Sequence, residues 1–222
     1  FFSHAAYGII AAMIFDSLDG RTARFTNTCT AFGASLDSIA DMMAYGVAPA
    51  IMMYCWGLFR LGKIGYLVCF IFCACAGLRL ARFNVMIGIV DKRFFQGLPS
   101  PAAAALVMGF MWLMTEMGIS GPDVAWPMFA MCLYSGLTMV TNVPFYSFKD
   151  VQMKQSVPFV VIVLLALTIA VITIHPPIVL FALFMFYGLS GYALYAWRRA
   201  KGMQTSLIST STDEPDEAGL HK

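Results

Sequence analysis

Apolar residues run through this chain in long stretches, and polar or turn-forming residues separate them. A helix needs about 20 mostly apolar residues to cross a bilayer. On that measure the pattern predicts seven spanning helices, over residues 5–24, 32–58, 64–87, 101–117, 124–140, 157–174 and 177–197. Turn signals fall between them, from Gly118 to Pro122 and at His175-Pro176-Pro177. The expected fold is all-α, a polytopic transmembrane helix bundle forming one domain over residues 1–201. Residues 202–222, with Asp213, Glu214, Asp216 and Glu217, have the polar composition of a disordered cytoplasmic tail. The chain opens on Phe1 rather than an initiator methionine, so one more helix is expected upstream. No internal repeat is evident.

Composition supports the pattern. Hydrophobic residues make up 60% of the 222, and charged residues only 12%, against about 25% in a typical soluble domain. A soluble fold of this size could not hide so much apolar surface, so lipid must be the solvent for much of it. The formal net charge of +2 is too small to suggest a nucleic-acid partner. Most of the six cysteines lie inside apolar runs, where they serve as small hydrophobic residues, and Cys69, Cys73 and Cys75 lack the paired spacing of a zinc site. With seven alternating spans, one face receives twelve of the 14 Lys and Arg and the other only Arg60 and Lys63. The positive-inside rule puts the crowded face in the cytoplasm, with the C-terminus inside and Phe1 outside.

Against this background four aspartates stand out. An Asp at the bilayer centre costs roughly 2.5–3.5 kcal/mol on insertion scales, yet Asp16, Asp19, Asp37 and Asp41 all fall in or beside the first two predicted helices. Their place toward the cytoplasmic ends lowers that cost, but four like charges still need a counter-charge. At about 100° per residue, Asp16, Asp19, Gly20 and Ala23 share one helix face, while Gly33, Asp37 and Asp41 form a stripe on the next. Two antiparallel helices packed through Gly20 and Gly33 would gather all four carboxylates into one pocket. Hard oxygen ligands suit Mg²⁺, Mn²⁺ or Ca²⁺ and not zinc. Two such ions would neutralise the cluster and still attract a pyrophosphate, the layout used in phosphoryl displacement. The plainer reading of any one of these residues is a helix cap or a border charge; four in register argue against it.

The run from Asp16 to Arg24, followed by Gly33, Asp37 and Asp41, has the form D-x2-D-G-x2-A-R-x8-G-x3-D-x3-D. It resembles the signature of the CDP-alcohol phosphatidyltransferase family, with no departure from the pattern. The resemblance implies that Asp16, Asp19, Asp37 and Asp41 hold two divalent cations, Mg²⁺ or Mn²⁺, beside the CDP moiety. It further implies that Asp19, Gly20, Ala23 and Gly33 line the nucleotide site, that Arg24 lies near the phosphates, and that Asp41 is the general base for the acceptor hydroxyl. Such enzymes expel CMP from a CDP-linked lipid, here CDP-diacylglycerol, in the bacterial inner membrane with the site facing the cytoplasm. The resemblance also implies a homodimer among membrane lipids.

The signature does not choose the acceptor. The strings FGASLDSIADMMAYGVAPA ending at Ala50, GLRLARFN from Gly77 to Asn84, and QGLPSP from Gln96 to Pro101 resemble the serine-using, membrane-spanning bacterial branch of that family. Serine brings a carboxylate, which calls for a cation. Arg79 and Arg82 stand near the cytoplasmic end of the third predicted helix, one expected to hold the carboxylate and the other a phosphate. Their ordinary role would be snorkelling to headgroups. Asn84, Gln96, Ser100 and Asn142 are further polar candidates, whose ordinary reading is caps or loop residues. Glu116, Asp123 and the histidines His4, His175 and His221 fall on the other face, beyond it or in the tail, which leaves a carboxylate as base. Two rivals remain open. A phosphorylated acceptor such as glycerol 3-phosphate would use the same arginines, and a divalent-cation transporter would use the same aspartates but place them near the midplane.

Overall fold

The computed structural model describes residues 2–26, 30–85, 94–146 and 175–201. Helix α1 (Phe2–Phe25) covers the first predicted span. Thr30 then starts α2 (Ala31–Asp41): its side-chain oxygen accepts the Gly33 N–H at 3.0 Å, satisfying one of the orphan donors of a helix start. The rod does not stop at Asp41. Met42–Val47 form a π-helical turn that runs directly into α3 (Ala48–Trp56). Pro49 explains the widening, because it has no N–H and its ring would crowd the carbonyl four residues back. The Ala48 N–H accordingly reaches Met43 O, five residues behind.

A short 3₁₀ turn (Leu58–Leu61) reverses the chain into α4 (Lys63–Val85). Helix α5 (Ser100–Glu116) and α6 (Ala125–Val140) follow, and α7 (Pro176–Ala200) closes the described part. Helices thus occupy six of the seven stretches predicted to span, without showing that each one crosses a membrane; the seventh stretch, residues 157–174, and the tail from 202 lie outside the described residues.

Helix α5 is the hub. It touches α1, α3, α4, α6, α7 and the π turn, and Ala102–Ala105 let those neighbours approach closely. Met111 on α5, Met53 on α3, Phe72 on α4 and Met128 on α6 share the fully buried core. Outward faces are apolar too: Phe32 is 78% exposed, Phe70 61% and Phe186 77%. So much exposed apolar surface requires lipid around it. By length and composition, three helices among the described residues can cross a membrane: Phe32–Trp56, Lys63–Val85 and Pro176–Ala200. The chain is thus an integral membrane protein. Helix α5 has 17 residues and α6 has 16, about 25 Å at 1.5 Å per residue.

One feature departs from the helical expectation. Phe94–Gln96 (β1) and Pro144–Tyr146 (β2) pair antiparallel, with Phe95 opposite Phe145. The stretch before α5 and the stretch after α6 lie side by side, and pairing satisfies their backbone groups. Gly97 ends β1 at φ +75, where a side chain would strike Met139 O at 2.3 Å; only glycine fits.

Candidate active site

The polar residues gather at the end of the bundle that holds the last turns of α4, the first of α5 and the ribbon. Asp41, the final residue of α2, is half-buried; its carboxyl lies within hydrogen-bonding reach of Asp16 on α1 and in the field of Asp37 and Arg79. Asp37 is exposed one turn earlier. The structure therefore brings Asp16, Asp37 and Asp41 into one neighbourhood, with Arg79 as a cation beside them. Asp19, Gly20, Ala23 and Arg24 follow Asp16 on α1, with side chains outside the described set.

The packing expected through Gly20 and Gly33 involves Gly20, whose surroundings lie outside the described set. Among the described residues, a Cβ at Gly33 would meet only the Thr30 hydroxyl, at 3.1 Å. Helix α1 packs on α5: Ala6 and Ile9 are buried in the core, and the Tyr7 ring stands 4.8 Å from that of Trp112. On α2, Leu36 and Ile39 are exposed.

Two carboxyl groups in contact repel unless a proton or cation lies between them. The donors are all oxygens, which fits Mg²⁺ or Mn²⁺. Among the described residues, however, no three carboxylates converge tightly enough to form a cation site on their own.

The two arginines differ in their surroundings. Arg79 donates from Nη1 to Ser100 Oγ at 2.7 Å, and Ser100 is fully buried at the start of α5. Among the described residues, Arg79 Nε is buried without a hydrogen-bond partner. Arg82, one turn on, donates to Val140 O at 3.3 Å and to the side-chain oxygen of Asn142. Asn84 reaches the other way, its amide donating to Ser38 Oγ on α2 at 3.0 Å. Ser38, between Asp37 and Asp41, and Tyr187 of α7, which lies in the field of Arg79, were not singled out by sequence. No local pattern marks a serine or a tyrosine in an apolar helix. Gln96 takes part through its backbone in β1, and its side chain is outside the described set.

Fold and site together define a helical membrane protein with a carboxylate cluster and a guanidinium at one end of its bundle. The chain belongs to the CDP-alcohol phosphatidyltransferase family, whose model matches residues 2–146, a stretch that contains all four aspartates, both arginines and Ser100. It is 34% identical over 188 residues to a Helicobacter pylori protein named CDP-diacylglycerol–serine O-phosphatidyltransferase, covering 85% of this chain and 79% of that one. A Methanocaldococcus jannaschii protein of the same name is 35% identical over 185 residues, 83% of this chain and 82% of the relative. A Saccharomyces cerevisiae protein of that name is 33% identical over 165 residues, 71% of this chain and 52% of the relative.

Proposed function

We propose that this chain transfers the phosphatidyl group of CDP-diacylglycerol to L-serine, giving phosphatidylserine and CMP. The observation that carries the chemistry is Asp41 set among Asp16, Asp37 and Arg79. The choice of acceptor is supported by relatives from a bacterium, an archaeon and a yeast that share one name.

In this reading Asp41 takes the proton of the serine hydroxyl. The freed oxygen forms a bond to the phosphorus that bears diacylglycerol, the bond from that phosphorus to the pyrophosphate bridge oxygen breaks, and CMP leaves with that oxygen. Asp16, Asp19, Asp37 and Asp41 would hold two divalent cations, Mg²⁺ or Mn²⁺, which when bound supply charge neutralisation to the pyrophosphate. Gly20, Ala23 and Gly33 would line the nucleotide site. Arg24 would have its family role at the phosphates, and a guanidinium from Arg79 or Arg82 receives the serine carboxylate. Asn84 orients the α2 segment through Ser38. In this reading the site end of the bundle faces the cytoplasm at a bacterial inner membrane, as the Lys and Arg distribution favours, and the enzyme works there as a homodimer.

The test is CMP release by the purified protein with CDP-diacylglycerol and Mg²⁺ or Mn²⁺. L-serine should drive release, and a chelator should stop it. Release with glycerol 3-phosphate and none with serine would change the product while keeping the family; release with neither would overturn the reading.

A further inference from the structure

Arg79 and Arg82 lie one turn apart on α4, yet their hydrogen bonds leave them unequal. Arg82 reaches the end of α6, donating to the Val140 carbonyl and to the Asn142 side chain just beyond it. That guanidinium works as a strap between α4 and α6. Arg79 is held on one edge. Its Nη1 is fixed by Ser100, whose hydroxyl is fully buried and cannot swing into solvent. Its Nε is buried and lacks a partner among the described residues, an unfavourable state for a polar group. Asp41 and Tyr187 lie in its field, from α2 and α7. A guanidinium tethered at one corner, with an unsatisfied N–H in a low-dielectric setting, is prepared to accept an anion on its remaining donors.

We propose that Ser100 is a positioning residue that aims Arg79 at the carboxylate of the acceptor, while Arg82 is structural. This rests on the serine-transfer reading above. Ser100 does not touch the reacting atoms; it fixes the rotamer of the arginine, so that the free edge of the guanidinium is presented before the acceptor arrives. Losing the tether should leave nucleotide binding and chemistry intact and weaken acceptor binding.

The full chain in lipid nanodiscs provides the test, with the KM for L-serine and for CDP-diacylglycerol measured separately. S100A should raise the KM for serine about tenfold, the effect of losing a hydrogen bond to a charged group, and move the KM for CDP-diacylglycerol less than about twofold. S100T, which keeps the hydroxyl, should restore the KM for serine. S100C, close in size to serine but a poor acceptor, should behave like S100A and carries the test if alanine prevents folding. In an R79K background S100A should add nothing further, because its effect passes through Arg79. The proposal is overturned if S100A lowers kcat with KM unchanged, or if its full effect persists beside R79K. If the unsubstituted protein shows no serine-dependent CMP release, the reading beneath the proposal falls with it. Normal serine dependence in S100A and S100C overturns the proposal alone.

Discussion

At the scale of single residues, Asp41 bears the greatest weight, because it is both in contact with another carboxyl and placed beside a cation. Asp41→Asn keeps the shape of the side chain and removes its charge. Turnover should fall about a thousandfold or more, within the range for loss of a general base, while the protein remains folded in detergent. An Asp41→Asn enzyme with near-normal kcat would refute the role. The Asp16 contact gives a second, independent expectation. Removing divalent cations should lower the Tm of the unsubstituted protein, since the carboxyls then repel unscreened, and adding Mg²⁺ should raise it by binding the native state. In Asp41→Asn, thermal scans with and without Mg²⁺ should nearly coincide; an equal Mg²⁺ shift in both proteins would show that the cation binds elsewhere. The aspartates were legible in the sequence because charge in an apolar run is conspicuous and their spacing is regular. Ser38 and Tyr187 were not, since a hydroxyl inside a membrane helix is ordinary until the fold brings a partner to it.

Among the elements, the π turn between α2 and α3 shows how backbone geometry serves the site. It begins directly after Asp41, and Gly46 within it lies against α4, where a Cβ would stand 3.1 Å from Ala76 Cβ. Ala76 is three residues from Arg79, so this crossing sets the distance between the carboxylate and the guanidinium. Gly46→Val should push the helices apart, at about 1–3 kcal/mol for overpacking. Both the Tm and kcat should drop. Loss of Tm with kcat intact would separate the crossing from the site. The strap formed by Arg82 makes a contrasting case: Asn142→Ala should lower Tm by a few degrees, as read in a thermal melt, and an unchanged Tm would deny it a structural part. The helix itself could be read from its apolar run, and Pro49 was the only visible sign of the irregular turn. The ribbon had no comparable signal, because three-residue strands are too short to show an alternating pattern and form here only where two helix ends already lie together.

On the scale of the whole molecule, the hydrophobic pattern located the helices but could not sort them. Lipid tails and a protein interior are equally apolar, so a run of 17 residues buried on nearly all sides, as in α5, looks the same in sequence as one facing lipid. The alanines at 102–105 are the one clue to its central place. Charge carries the orientation instead, and it can be tested on exposed positions at opposite ends. Arg60 lies in the 3₁₀ turn between α3 and α4, and Lys201 follows α7. Both are exposed, while Asp41, Arg79 and Ser100 belong to the end of α4 opposite Arg60. In a cysteine-free background, Arg60→Cys should react with a membrane-impermeant maleimide added to intact spheroplasts. Lys201→Cys should react only after permeabilisation. The reverse pattern would turn the aspartates outward, away from the cytosolic face on which a CDP-linked substrate and free serine meet. No adjustment of the site residues could then preserve the proposed reaction, because the nucleotide would have to leave on the wrong side of the membrane.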